Sequence, residues 1–521
     1  MGTEILNLFH KRIKKGYKLA FAATFLMALL IHFYKFVNTL PNHDSMYSFY
    51  SEQNVLGSGR WALSLACGIS SYYDLPWVIG LISCCFIALT VVVIVALFQL
   101  KNPVLIGLVG AVIASSPAIT ETMFFLYTAD GYMIAMFLAA LAVYLTRVGE
   151  NRVTRWGLSG LCICISCAIY QAYVSFALVL AVCYFMVQLL QDRYDKRDCL
   201  KWVLRQAIVY ITSLAVYFVI WKLCMYVTGT EANEYLGIAD VGALKFGADL
   251  ISYRVISAFS EILEYFLQWS MLQHGISLYA VMNVLFFILL GVGSIIAVIR
   301  SRIWKRKWAF VLLIVCVAAI VPFAFIWYFA SAHISYRPMM LQSLALLFVL
   351  GALLFEDWTG DILKNTMALL LALIVFQQAV MANISYFYMN LTYERSYAEA
   401  VEMMVEINDL RDEYEFHEIA VVGNRVADLS WEMYDAQTGK LEPAGKVHIF
   451  TGYLHQSLMI HRERVVPFLT AYLGLDLEAV SPEDYETISE LPEVQSMECW
   501  PADGSVAVID HVLVLKLSDM E

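Results

Sequence analysis

The residues best suited to chemistry lie in one stretch. Between Asn38 and Pro76 the chain reads NTLPNHDSMYSFYSEQNVLGSGRWALSLACGISSYYDLP, the first sizeable polar segment after a long apolar run. Asp44 follows His43 there, and a carboxylate at the edge of a bilayer can accept the proton of an attacking hydroxyl. His43 can tune that carboxylate or help to hold a divalent cation. Arg60 sits in Gly-Ser-Gly-Arg-Trp. Its glycines allow close backbone approach, and a guanidinium grips phosphate oxygens in a fork. Trp61 suits an interfacial anchor or a platform for a sugar ring. The plainer readings are a helix-capping or solvated Asp44 and an Arg60-Trp61 pair that only anchors the chain.

Other polar groups follow at the same level of the chain. Glu121 closes one apolar run and Asp130, in TADGYM, precedes the next, so both carboxylates can face Asp44, although Asp130 can equally cap a helix. Tyr170 and Gln171, in IYQAYVSF, are polar groups in an otherwise apolar run. They can meet sugar hydroxyls or bond between helices. Arg337, in HISYRPMM, is a second candidate for holding phosphate.

These residues must be positioned by membrane elements. The chain has 521 residues, 60% of them hydrophobic and only 15% charged, with a mean hydropathy of +0.67. A soluble fold cannot hide that much apolar surface, which predicts a polytopic α-helical membrane protein. Eleven spans are expected, at roughly 17–37, 76–100, 103–119, 131–146, 156–170, 173–190, 203–226, 277–299, 309–330, 339–355 and 366–385. The least defined division is 156–190, with its turn near Tyr170-Gln171-Ala172. The basic start leads into a long apolar run without a small-residue cleavage site, so that run reads as a retained span.

Charge sets the orientation. Of the cations before Tyr386, 20 fall on one side of this span pattern and 6 on the other. By the positive-inside rule the N-terminus is cytoplasmic, and after eleven spans the tail is extracytoplasmic. The loop 38–75 is then an outer one, as is 227–276, whose second half has the spacing of amphipathic interfacial helices. Middles of spans are nearly free of charge, which suits a chemistry site at the outer edge better than an ion-coupled transporter.

From Tyr386 onward the chain carries 8 Lys and Arg against 26 Asp and Glu, an acidity that excludes nucleic acid as a partner. This region opens on an amphipathic helical pattern. HEIAVVGN, VHIF at 447–450 and SVAVIDHVLVLKLS then read as strands, the last a hairpin turning at Asp510-His511. The expected organisation is a multi-spanning part, 1–385, and a small α/β extracytoplasmic domain, 386–521. The 11 cysteines form no framework, and Cys162, Cys164 and Cys167 lack the partners of a tetrahedral site.

With the motifs in hand, NHDSMYSFYSEQNVLGSGRW, FLYTADGYMIAMFLAALAVYL and IYQAYVSF together resemble a bacterial membrane glucosyltransferase family, the Gtr type II enzymes of serotype-converting O-antigen glucosylation. The closing PADGSVAVIDHVLVLKLS is similar to Gram-positive members. The resemblance covers most of the chain and implies a C-type glycosyltransferase fold. Such an enzyme takes a hexose, glucose in this family, from a polyprenyl-phosphate carrier and passes it with inversion to a cell-surface polysaccharide outside the cytoplasmic membrane. It implies Asp44 as the first-loop acid, Gly59, Arg60 and Trp61 as the loop's Gly-Arg-Trp, and Asp130 and Gln171 as members of later motifs. The chain has one acid in NHDSM where C-type enzymes often have a pair, so a divalent cation is an open alternative rather than a requirement. The runner-up function is an exporter or polymerase of lipid-linked glycans, and a third is a non-catalytic scaffold presenting the acidic tail.

Overall fold

The computed structural model describes residues 14–38, 40–233, 248–267, 278–330, 334, 336–356, 361–425, 432–435, 440–443 and 457–519. The chain divides into two compact units. The first is Met1–Val37 with Tyr50–Asn383, and the second is Asn38–Phe49 with Ile384–Glu521. The sequence places residues 38–49 with the membrane part; the fold groups them with the C-terminal residues instead.

The first unit is built from helices, taken here in chain order: α1 Lys15–Val37, α2 Leu63–Tyr72, α3 Pro76–Phe98, α4 Pro103–Ala114, α5 Pro117–Phe124, α6 Leu126–Leu145, α7 Val153–Ile169, α8 Tyr173–Gln191, α9 Lys196–Thr228, α10 Ala248–Leu267, α11 Leu278–Ser301, α12 Lys307–Ala324 and α13 Leu346–Glu356. The 51-residue α14, Asp361–Arg411, contains the division between the units. Among the described residues, eight helices are long and apolar enough to cross a membrane. Every one of the eleven expected segments coincides with helix, but three fall short of a plain span.

The reasons are local. The segment 103–119 breaks into α4 and α5, bent by 42°. Asn102 caps α4 and Ser116 caps α5, each with a proline at the next position. Pro117 has no N–H to give and disfavours helix in the residue before it, so the chain stops and restarts there. The other two, α7 and α13, have 17 and 11 residues. Tyr170 ends α7 in extended conformation, and the turn comes at Tyr170–Ala172 as the sequence indicates.

Buried polar groups tie the helices together. His32 bonds the Ala114 carbonyl at 2.9 Å, Ser115 donates to Gln378 at 2.8 Å, and Ser166 donates to the Ala135 carbonyl at 2.8 Å. In an apolar surround such groups must find partners within the bundle. Within the expected amphipathic stretch 227–276, α10 buries Ala258, Tyr265 and Phe266 while Val255, Ile256, Phe259 and Leu263 stay exposed. Its Arg254 is buried, donating to the Ile334 carbonyl at 3.1 Å and lying 5.0 Å from the Tyr328 ring centroid.

The second unit holds a four-stranded sheet. Its strands are β1 Glu418–Val422, β4 Glu478–Ala479, β5 Val506–Ile509 and β6 Val512–Lys516, in the order β4-β1-β6-β5. A separate antiparallel pair joins β2 Glu432–Asp435 to β3 Lys440–Pro443. β1 is parallel to β4 and β6, and β5–β6 is the hairpin, with Asp510 and His511 both at positive φ as a tight two-residue turn demands. The segment VHIF at 447–450 lies outside the described residues. Side chains alternate as strand geometry requires: Ile419, Val421, Leu513 and Leu515 enter one core, Ala420, Val422 and Val514 another. The first core is closed by α14 (Met403, Ile407) and by α15 Arg462–Leu473 (Phe468, Leu469).

Candidate active site

Arg60 is held by two stacked tyrosines. Its Nη1 donates to the Tyr132 hydroxyl at 2.9 Å, and its guanidinium carbon lies 4.7 Å from the Tyr170 ring centroid. The rings of Tyr132 and Tyr170 stack 4.4 Å apart with 9° between their planes. Tyr132 comes from α6 and Tyr170 from the turn between α7 and α8. A guanidinium held against a ring face is attracted to its π-electrons, and its planar fork suits phosphate oxygens.

The loop that carries Arg60 is shaped by its own glycine and by three donors. Gly59 has φ of +79°, and a Cβ there would run into the Tyr217 hydroxyl and the Gln171 amide. The carbonyls of Leu56, Ser58 and Gly59 accept from Trp221 Nε1 at 2.8 Å, Gln171 Nε2 at 2.7 Å and the Tyr217 hydroxyl at 3.0 Å. Gln171 therefore spends its amide nitrogen on the loop, and its backbone carbonyl accepts from Trp327 Nε1 at 3.1 Å. Trp61 packs against a small cluster of Leu56, Trp221 and Met225.

Tyr170 is also where further charges meet. Its hydroxyl lies within electrostatic reach of Arg60, Glu121 and Arg337. Glu121 is fully buried in α5, and its Oε2 accepts the Met339 N–H at 2.5 Å. That bond fixes the single turn Pro338–Met340, whose preceding residue is Arg337. Two cations and a carboxylate thus lie within electrostatic reach of one phenol.

Asp130 has its own setting. The sequence puts it before a helix, but α6 begins at Leu126, so Asp130 lies in the second turn and caps nothing. It is buried; Ser70 of α2 donates to Oδ2 at 2.5 Å, and its own Oδ1 accepts the Gly131 N–H at 2.9 Å.

Asp44 and His43 belong to the second unit. Asn42 shapes their turn by accepting from the Asp44 and Ser45 N–H groups at 2.9 and 3.0 Å. The Asp44 Oδ2 lies 3.3 Å from His43 Nε2, and Oδ1 lies 3.7 Å from Arg464 Nη2. Among the described residues, no three His, Cys, Asp or Glu side chains converge as metal ligands, and His43 with Asp44 offers two donors.

Of the residues singled out in the sequence, the fold therefore draws Arg60, Glu121, Tyr170 and Arg337 together, supports them with Gln171 and Trp61, and sets Asp130 against Ser70. Tyr132, Tyr217 and Ser70 escape a reading by sequence. Tyr217 is a phenol in an apolar run, Tyr132 stands two residues after Asp130 in TADGYM, and Ser70 is one of several hydroxyls in SSYYD at the end of the 38–76 stretch.

The glucosyl transferase GtrII family matches residues 33–355, a span that takes in Asp44, the Arg60 loop, Glu121, Asp130, the Tyr170 turn and Arg337. No curated protein and no solved structure matches the chain. The family match covers well over half of the sequence, and the chain belongs to the glucosyl transferase GtrII family, which makes it an enzyme of the glycosyltransferase class.

Proposed function

We propose that this enzyme moves glucose from a polyprenyl-phosphate carrier, with inversion, to a cell-surface glycan at the outer face of the cytoplasmic membrane. The observation that supports this reading is the Arg60 guanidinium held by the stacked Tyr132–Tyr170 pair, with Arg337 within electrostatic reach of Tyr170. Two guanidiniums in an apolar bundle suit a phosphodiester on a lipid tail, whose charge must be matched where water is scarce. The sidedness of the cations along the chain favours an N-terminus in the cytoplasm, eleven crossings and an extracytoplasmic C-terminal unit.

In this scheme Arg60 and Arg337 hold the donor phosphate and stabilise the charge that grows on it as the glycosidic bond breaks. Glu121 orients Arg337 by fixing the turn behind it. Asp44 takes the proton from the acceptor hydroxyl as that oxygen attacks the anomeric carbon from the opposite face. Asp130 with Ser70 orients sugar hydroxyls.

Label transfer from a synthetic polyprenyl-phosphate glucose, in membranes holding the full chain, tests the scheme. Asp44→Asn is expected to lower turnover by at least about a hundred-fold, the usual contribution of a general base, while membrane insertion is unchanged. Full turnover in Asp44→Asn removes the assigned base. Transfer from a nucleotide-linked glucose without any lipid carrier removes the assigned donor.

A further inference from the structure

Asp44 stands in residues 38–49, a segment built into the C-terminal unit at several points. Met46 is 4% exposed and shares a core with Ala400, Met403, Phe468 and Leu469. The Phe49 ring meets Tyr472 edge-on at 5.8 Å, and Tyr472 in turn meets Tyr393 at 5.2 Å and Phe468 at 4.7 Å. The segment is thus seated on α15 and α14. From the third residue of α15, Arg464 reaches to 3.7 Å from the Asp44 carboxylate.

We infer that Arg464 is a positioning residue for the Asp44 carboxylate, so that the C-terminal unit carries and orients the base. This inference rests on the proposed role of Asp44 as base. The geometry divides the carboxylate: Oδ1 faces Arg464 and Oδ2 faces His43. The Arg464 side chain is 12% exposed whereas Asp44 keeps 40% of its side chain open. A mostly covered guanidinium behind a partly open carboxylate holds the acid and leaves lone pairs for an acceptor hydroxyl. The hydrophobic seat sets the backbone, and Arg464 sets the rotation of the side chain.

The experiment uses the full chain in membranes, with Arg464→Ala, Arg464→Lys, Asp44→Asn and the double variant Asp44→Asn/Arg464→Ala. Arg464→Ala is expected to lower kcat about ten- to a hundred-fold, the scale of a misplaced catalytic group, with donor KM within about two-fold of the parent. Arg464→Lys keeps the charge and is expected to recover part of kcat, which a loss of folding would not allow. In the Asp44→Asn background, Arg464→Ala is expected to cost nothing more, because the two act as a unit. Parental kcat in Arg464→Ala, beside an inactive Asp44→Asn, overturns the positioning role and leaves the base in place. An equal further loss in the double variant also overturns it. Full turnover in Asp44→Asn instead sinks the base itself, whatever Arg464 does.

Discussion

At the scale of single residues the candidate site is a set of side chains held in place by one another. Arg60 illustrates this, with one N–H on Tyr132 and its plane on Tyr170. Tyr132→Phe keeps the stacked pair but removes the acceptor. A hydrogen bond to a charged group contributes about 2 kcal/mol, so donor KM is expected to rise roughly thirty-fold while kcat changes less. Steady-state kinetics with varied lipid donor checks this. Gly59→Ala is expected to be worse for its size than most surface changes, since it meets both a positive φ and the two donors that brace the loop. The part of this arrangement that can be read from the chain is the part with local signals. Glycines just before an arginine, or a Gln between tyrosines in an apolar run, are visible as types and spacing. Tyr132 and Tyr217 are not, because a phenol in an apolar helix looks like any other large side chain until the fold gives it a partner.

Helices and turns add a second layer of explanation. Glu121 lies inside α5 and fastens the turn Pro338–Met340, more than 200 residues away in the chain. Glu121→Ala leaves the buried Met339 N–H without this acceptor, a loss of about 1–3 kcal/mol. The turn is expected to loosen and donor binding to weaken through Arg337, which thermal denaturation and donor KM together report. The carboxylates of α10 make a separate prediction. Burial, with Glu261 adding repulsion, pushes Glu264 up to about 7 from 4.5. Because the value in the folded protein lies above the ordinary one, protonation accompanies docking of α10. The stabilisation is complete below about pH 4.5 and is lost as pH rises through about 7. Hydrogen exchange along α10 is expected to quicken between about pH 5 and about pH 8 beyond its intrinsic rate, and Glu264→Gln is expected to flatten that response. Elements were the most legible level of this chain, since hydrophobic length and period mark helices and alternating strands directly. The interruption at Pro117 and the early start of α6 were less so, because each depends on where caps form within a continuous apolar run.

Over the whole molecule, composition and charge announce a helical bundle followed by an acidic α/β region, while the assignment of Asn38–Phe49 to the second unit has no local signature. Arg464 lies about 420 residues beyond Asp44, and nothing in either neighbourhood names the other. Ending the chain at Asn383 removes the core that receives Met46 and Phe49. Such a truncation is expected to insert in the membrane and to bind lipid donor through Arg60, yet to turn over no more than Asp44→Asn does. Donor binding and transfer measured on the same membranes separate the two effects.

The seating of Met46 among residues made so much later also bears on biosynthesis. At about 5–20 residues per second, the ribosome finishes α15 roughly 20–80 s after residues 38–49 have emerged. Closing so long a loop adds little entropic cost, because that cost grows only with the logarithm of length. Time is what it takes. Throughout that interval Met46 and Phe49 lack the core that receives them, so residues 38–49 reach their folded setting only after α15 has been made.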